Sequence, residues 1–511
     1  MRRDHAGTWA LLAAVLLLPL ISMLIVPFYD TSEPRYAEIA RTMAETGDWI
    51  TPWFEPGVPF WGKPPLSFWA QALSMKAFGF SEFAGRLPSW LCLIFSDIIL
   101  ILGLRRLYGL RTAKLAALVY STCALVYLCA GAVLTDSFLA LGTTLSLISF
   151  AVVAAAQSPL PDSGKPWAQP SSHVTAPPSG LWRYGYFLGL AIGLVAKGPL
   201  ALILCFAPAV AWRSLNRKAL SGTRLLPWGK GFALVAALSL PWYVLAEIKT
   251  PGFLDYFIVG EHFRRFLDPG WGGDLYGTAH RQAYGTIWIY WLQATFPWGL
   301  LMLLMALPGC RPSSRIATIL RTLKTAPLFS YWLTGALFTP LFFTFSANIL
   351  WTYLLPSLAS LSVICASFLE GAAAALRLPR RRLLWAASIV PVTVLGLSVV
   401  VWIRPDLRNT ERSLVHYVME QNEPDTPLLY MSRPPFSAQY YSANRVQEIK
   451  ADELPEALMS RTPFYLAIPK NELAAAKQAL GGSLQAVFSN RRYILVRIPP
   501  RGPARLSGPG F

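Results

Sequence analysis

The residues best suited to chemistry stand directly behind a long uncharged run, residues 8–28. That run matches the roughly 20 helical residues needed to cross a hydrocarbon core of about 30 Å. The first polar residues beyond it include two acids, a base and an aromatic: Asp30, Glu33, Arg35 and Tyr36. Acids, bases and aromatics at a membrane face indicate chemistry on a charged, lipid-linked substrate.

A lone lysine follows in the same loop. Lys63 stands between Gly62 and two consecutive prolines, among aromatic residues. Because proline fixes its φ angle and lacks an N–H donor, the loop is stiff and suits holding one ammonium group toward an anion. Residues 33–45 have the spacing of an amphipathic interfacial helix, so the alternative for the charges before this loop is a juxtamembrane helix with solvated side chains.

Two further candidates lie at junctions between later apolar runs. Asp136 is costly near a membrane unless it faces a cavity or a partner, which favours a functional role. Capping of the following span is the alternative for Asp136. Lys197, followed by Gly198 and Pro199, is an isolated cation that can bind phosphate as a point charge.

The loop that begins at Glu261 combines acids, bases, glycines and aromatics. Arg264 and Arg265 carry forked donors suited to a phosphate or a carboxylate. Glu261 and His262 are a weak hypothesis for a metal site, because adjacent ligands alone are not a metal-binding pattern. A last polar turn provides Tyr353 as a hydrogen-bond donor.

The composition indicates a polytopic membrane protein. Of the 511 residues 54% are hydrophobic and 14% are charged, against about 25% charged in soluble domains. The net charge of +18 does not indicate nucleic acid binding, because the basic residues fall in short loops between apolar runs. The positive-inside rule makes those loops cytoplasmic and places residues 29–83 and 248–285 outside. The first run is too long for a signal peptide and is interpreted as a retained span.

The apolar runs predict an α-helical membrane domain, residues 1–403, with about 11–13 transmembrane helices. Short β-like runs alternate with a helical one after Arg404, which predicts a small α/β domain over residues 404–498 that supports the fold or gates the substrate. By span parity this domain lies outside. Residues 158–180 are predicted to form a linker and residues 499–511 a disordered tail. The six cysteines show neither a disulfide framework nor metal spacing.

Several short motifs occur in one order along the chain: Asp30 with Ser32-Glu33-Pro34-Arg35-Tyr36, Lys63-Pro64-Pro65, Asp136, Lys197-Gly198, Glu261-His262 with Arg265-Phe266, and Thr352-Tyr353. Together they resemble the bacterial aminoarabinose transferases (ArnT type), members of the GT-C superfamily that also includes protein O-mannosyltransferases. The resemblance covers most of residues 1–370. The chain departs from it at Ser32, where the family often has Asp, and at Gly62, where Glu is common.

The resemblance implies inverting transfer of a sugar from a polyprenyl phosphate at the periplasmic face of the bacterial inner membrane. The implied acceptor is lipid A or a related envelope glycolipid of the lipopolysaccharide. The candidate catalytic carboxylates are Asp30, Glu33 and Asp136. The candidate residues that bind the donor and its phosphate are Arg35, Tyr36, Lys63, Lys197, Arg264, Arg265 and Tyr353.

Two alternatives stay open at the level of sequence. Transfer to protein Ser or Thr would use the same donor class. A lipid-linked-sugar flippase would predict internal repeats and polar residues at mid-membrane, and the sequence shows neither. No cofactor is required by the motifs, and a divalent metal ion is left open.

Overall fold

The structure, a computed structural model, describes residues 2–156, 178–216, 224–268, 271–277, 280–306, 327–346, 348–376, 380–421, 423, 426–450, 452–459, 462–479 and 485–500. The chain forms two compact units. The first comprises Met1–Leu24 and Met43–Gly396, and the second comprises Ile25–Thr42 and Leu397–Phe511. Most of the predicted linker and nearly all of the predicted tail lie outside the described residues, and the predicted domain bounds stay a prediction.

Long apolar helices dominate the first unit and confirm the polytopic class. Within the described residues, six helices are long and apolar enough to cross a membrane, or up to eight if each of two bent pairs is one span. The six are Gly7–Ile25, Glu82–Tyr108, Asp136–Ala155, Trp228–Lys249, Trp351–Glu370 and Arg382–Ile403. The other helices of this unit include Leu66–Phe78, Gly180–Lys197, Leu200–Leu215 and Pro327–Phe343. The span Trp351–Glu370 overlaps the α-helix Leu355–Leu376.

Two apolar helix pairs are bent at a break, and the two breaks contact each other. The helices Leu110–Thr122 and Ala124–Ala130 bend by 71°, and Thr286–Thr295 and Trp298–Leu304 bend by 104°. The N–H of Ala124, left without a helical partner at the first break, donates to the carbonyl of Phe296 at the second over 2.9 Å. The indole of Trp298 donates to the Thr122 hydroxyl at 2.9 Å. Each break thus supplies a hydrogen-bond acceptor for a donor at the other break.

The Asp136–Ala155 and Gly180–Lys197 helices run antiparallel in very close contact. A Cβ on Gly142 would lie 2.6 Å from the carbonyl oxygen of Gly189, and the Ser146 hydroxyl donates to the carbonyl of Tyr186 over 2.8 Å. Small residues permit this approach, as is common between membrane helices. Because the helices are antiparallel, the start of one lies beside the end of the other.

The second unit contains a five-stranded mixed sheet, which confirms the predicted α/β domain. Its strands lie in the order Gln447–Glu448, Leu428–Tyr430, Phe464–Pro469, Tyr493–Ile498 and Ala486–Ser489. The second strand in this order pairs parallel with both neighbours, and the remaining pairs are antiparallel. Three helices of this region are Arg412–Glu420, Phe436–Tyr441 and Leu473–Ala479. The predicted amphipathic helix is present as Ser32–Thr46, most of which belongs to this unit.

The cysteines are structural within the described part of the chain. Cys92, Cys123, Cys129, Cys205 and Cys365 are buried free thiols. Cys310 lies outside the described residues. The five described thiols act as small apolar residues in the helical unit.

Candidate functional site

An ion pair joins the adjacent ends of the two closely packed helices. Asp136 is the first residue of its helix and Lys197 the last of its own. The Lys197 ammonium group contacts the Asp136 carboxylate, and each residue is 7% exposed. Each charge also has the sign that its helix end favours. The Lys197 ammonium lies 4.7 Å from the ring centroid of Tyr353, at the distance of a cation–π contact.

A second charged group surrounds Glu261. The Lys63 Nζ lies 3.2 Å from Glu261 Oε2, and the Arg265 Nη1 lies 3.0 and 3.1 Å from the two carboxylate oxygens. The Tyr256 hydroxyl donates to Glu261 Oε1 over 3.2 Å. Burial raises the pKa of Glu261, but the charges of Lys63 and Arg265 outweigh it and hold the pKa below its ordinary value. Glu261 is therefore an ionised anchor for two cations from different loops.

Arg265 has a further carboxylate partner and a fixed backbone. Its Nη1 lies 3.3 Å from Asp274 Oδ2. The Asn348 amide donates to the carbonyls of Arg265 and Asp268 at 2.7 and 2.9 Å. Burial lowers the pKa of Arg265, while Glu261 and other neighbours raise it above its ordinary range. The guanidinium is therefore a permanent cation held between loops.

His262 connects the two charged groups through the backbone. Its Nδ1 lies 2.7 Å from the carbonyl oxygen of Phe257, and its Nε2 lies 3.1 Å from the carbonyl oxygen of Lys197. Burial is the main cause that lowers the pKa of His262. Gly198 makes the approach possible: its φ is +80°, and a Cβ there would lie 2.6 Å from Phe257 and 3.1 Å from His262.

The segment that carries Glu261, His262 and Arg265 has an unusual local form. Asp255–Arg264 is a π-helix that continues into the short helix Arg265–Leu267. Wider π turns are rare and often occur at functional positions, because they change which side chains share a face. Here Glu261 contacts both Lys63 and Arg265, whereas Arg264 is exposed and makes no ion pair within the described residues.

The metal hypothesis for Glu261 and His262 stays a hypothesis. The Glu261 carboxylate faces Lys63 and Arg265, and both His262 nitrogens face backbone carbonyls. No group of three or more His, Cys, Asp or Glu side chains within the described ranges could hold a metal ion. The residues therefore act here as ion-pair and hydrogen-bonding groups.

The sequence candidates before Thr42 belong to the second unit. Asp30 pairs there with Arg492 at 2.5 Å and accepts hydrogen bonds from the N–H and hydroxyl of Ser437 at 2.9 and 2.7 Å. Arg492 also contacts Glu411 at 2.8 Å. Asp30 thus ties its segment to the sheet of the second unit.

Glu33, Arg35 and Tyr36 follow in the same unit. The Arg35 guanidinium lies 5.0 Å from the ring centroid of Tyr36 and 5.5 Å from that of Phe436. Glu33 is 6% exposed and Tyr36 is 9% exposed. Their catalytic and donor-binding roles stay predictions.

Sequence reasoning missed two members of the charged site. Asp274 and Tyr256 contact Arg265 and Glu261, respectively, yet neither stands in a recognisable motif. The only hint was the position of Asp274 after two glycines in a loop rich in aromatics. Lys63, Glu261 and Arg265 are joined directly, as are Asp136, Lys197 and Tyr353.

This arrangement can bind and stabilise an anion beside a carboxylate. Lys63, Lys197 and Arg265 are cations with side chains 19%, 8% and 14% exposed. Partial burial strengthens their interaction with a charged group that replaces water. Asp136 adds a buried carboxylate that can orient a hydroxyl or take its proton.

Known proteins are similar to this chain in sequence and in fold. The family model of dolichyl-phosphate-mannose-protein mannosyltransferases matches residues 10–257. The undecaprenyl phosphate-alpha-4-amino-4-deoxy-L-arabinose arabinosyl transferase of Aeromonas hydrophila is 27% identical over 365 residues, 70% of this chain and 59% of the relative. The enzyme of the same name from Serratia proteamaculans is 28% identical over 388 residues, 73% and 61% of the two chains. The chain thus spans about three fifths of the length of these curated relatives.

The fold has a solved counterpart. The crystal structure of ArnT from Cupriavidus metallidurans bound to undecaprenyl phosphate superposes with a TM-score of 0.74, at 16% identity and over 99% of both chains. The apo form of the same protein gives a TM-score of 0.72. The chain therefore shares its fold with ArnT and is similar in sequence to the arabinosyl transferases and to the mannosyltransferase family model.

Proposed function

We propose that the chain transfers a sugar from a polyprenyl-phosphate donor to lipid A or a related envelope glycolipid. The observation that carries this proposal is the partly buried set of Lys63, Lys197 and Arg265 beside the Asp136 carboxylate. A donor of this class leaves as a phosphate, so its site needs cations where the negative charge develops. The names of the relatives, which include undecaprenyl phosphate, support the same donor class.

In the proposed reaction an acceptor oxygen forms a bond to the anomeric carbon of the sugar. The bond between that carbon and the phosphate oxygen breaks, and its electron pair leaves with the polyprenyl phosphate. A proton on the acceptor passes to a carboxylate, for which Asp136 is the candidate in the first unit. Attack opposite the leaving group inverts the anomeric configuration.

The proposed location is the periplasmic face of the bacterial inner membrane. The support is the distribution of charge, because clusters of arginine and lysine fall between apolar runs on the side opposite residues 29–83 and 248–285. Lys63, Glu261 and Arg265 come from those two loops. A donor and an acceptor that are both lipids would reach such a site within the plane of the membrane.

A second candidate acceptor is a protein hydroxyl. The observation that favours it is the match to the family model of protein mannosyltransferases, whose name specifies a protein acceptor. The chemistry at the donor phosphate would be the same. The flippase alternative is less well supported, because the charged cluster combines phosphate-binding cations with a carboxylate suited to acid–base work.

Mass spectrometry of cells with and without the gene tests the proposal. Lipid A, other glycolipids and periplasmic proteins are compared in parallel, with a strain carrying Asp136→Asn as the inactive control. A sugar present only with the intact gene on lipid A or another glycolipid supports the proposed acceptor. A sugar on protein alone supports the second candidate, and no change in any fraction contradicts the transferase.

A further inference from the structure

Every cation of the charged site already has a carboxylate partner. Lys63 pairs with Glu261, Lys197 with Asp136, and Arg265 with both Glu261 and Asp274. A phosphate that contacts the ammonium or guanidinium donors used by these carboxylates therefore competes with them. Since opposite charges in a partly buried site interact strongly, this competition sets how tightly an anion is held.

The two carboxylates on Arg265 differ in how firmly they are fixed. Glu261 accepts two contacts from Arg265 at 3.0 and 3.1 Å, one from Lys63 and one from Tyr256. Asp274 makes one contact to Arg265 at 3.3 Å and accepts one hydrogen bond from the N–H of Tyr276 at 3.1 Å. Displacing Asp274 from Arg265 thus costs less free energy than displacing Glu261.

Arg265 also retains unused donor capacity. Both carboxylates contact its Nη1, whereas its buried Nε has no hydrogen-bond partner among the described residues. A guanidinium presents five N–H groups in a planar fork that matches phosphate oxygens. A buried N–H without a partner is unfavourable, so a phosphate that reaches Nε satisfies a donor that the unliganded site leaves unpaired.

We propose that Asp274 is a displaceable counter-ion that occupies Arg265 until a polyprenyl phosphate binds and returns to it when that lipid leaves. This inference rests on the proposed function and assigns Asp274 a positioning role in the release of the spent carrier. Neutralising Asp274 removes the competitor of the phosphate. Loss of this acidic side chain therefore tightens the binding of polyprenyl phosphate, whereas damage to the fold would weaken it.

The test measures the affinity of the purified full chain for undecaprenyl phosphate in detergent by titration calorimetry. Asp274→Asn is expected to bind about 5- to 10-fold more tightly, the effect of losing one partly buried ion-pair competitor. The matched control is Asp255→Asn, which removes the same charge from an exposed position on the π-helix. It should leave the affinity unchanged. Polyprenol, which lacks the phosphate, should bind Asp274→Asn and wild type equally.

Steady-state kinetics give the second measurement. For Asp274→Asn, the inhibition constant of undecaprenyl phosphate as product should fall by the same factor as its dissociation constant. Unchanged or weaker binding by a folded Asp274→Asn protein overturns the counter-ion role, provided that wild type binds the lipid. Failure of wild type itself to bind undecaprenyl phosphate contradicts the proposed function instead.

Discussion

Replacing Lys63 by methionine tests the electrostatic part of the account. The change keeps an unbranched side chain, shorter by one atom, and removes its charge. Lys63 is one of two cations on Glu261, at 3.2 Å, and its side chain is 19% exposed. If its ammonium stabilises the leaving phosphate, Lys63→Met should lower kcat/KM by about 100- to 1,000-fold, or roughly 2.7–4 kcal/mol, as for other positioned transition-state donors.

The same substitution should affect stability much less. Glu261 keeps both contacts to Arg265 and the hydrogen bond from Tyr256, so its carboxylate is not left without a partner. Loss of one of several contacts to a buried carboxylate costs about 1–2 kcal/mol. Thermal unfolding in detergent should therefore show a shift of only a few degrees.

The assay measures initial rates of sugar transfer from a polyprenyl-phosphate donor by the purified protein. Lys249→Met is the matched control, because Lys249 pairs with Asp48 at 2.6 Å but its side chain is 40% exposed. Such a surface pair is worth about 0–1 kcal/mol, and transfer should stay close to the wild-type rate. A folded Lys63→Met protein that transfers sugar as fast as Lys249→Met would show that the Lys63 ammonium does not stabilise the leaving phosphate.

Two other features of the chain lead to measurable outcomes. Gly198→Ala should destabilise the protein by about 1–3 kcal/mol and reduce transfer, because its Cβ would lie 2.6 Å from Phe257. Gly109 also has a positive φ, +87°, but no atom lies within 4 Å of the Cβ that an alanine would add there. Gly109→Ala should therefore cost less stability than Gly198→Ala and leave transfer intact. Equal losses of stability and transfer in the two variants would contradict the steric argument. Burial raises the pKa of Glu411 to about 7, although Arg492 opposes the shift. Since the folded state then holds a proton that the unfolded state releases, stability of the second unit should fall by roughly 1–3 kcal/mol as the pH rises from 5 to 8. Thermal unfolding at both pH values should show this fall in wild type and a smaller one in Glu411→Gln; identical pH dependence would disprove the role of Glu411.

Much of the fold could be predicted from local patterns. Long apolar runs and the strand-like runs after Arg404 predicted the correct element types, because burial and hydropathy act over neighbouring residues. The break at Phe296 has a local cause, since a residue before proline avoids helical geometry. The break at Cys123 has no proline or glycine beside it. It depends on contacts with Phe296 and Trp298, which are far away in sequence.

The candidate site was predictable by residue type but not by pairing. Lys63, Lys197 and Arg265 stand out as cations suited to a phosphate, and Asp136 as a carboxylate that needs a cavity or a partner near a membrane. The structure gives each one a partner. The pairing of each carboxylate with its cation depends on tertiary contacts. Asp30, for example, pairs with Arg492 at a separation of 462 residues. Asp274 was missed because a single acid in a loop carries no periodic pattern.

Reconstitution of the purified chain provides the most direct test of the central claim. The protein is placed in vesicles with a polyprenyl phosphate that carries a labelled sugar and with lipid A as acceptor, and labelled lipid A is measured over time. Wild type should transfer the labelled sugar, and a folded Asp136→Asn protein should transfer it much more slowly. Transfer at equal rates by both proteins would contradict the assignment of the charged site as the catalytic centre.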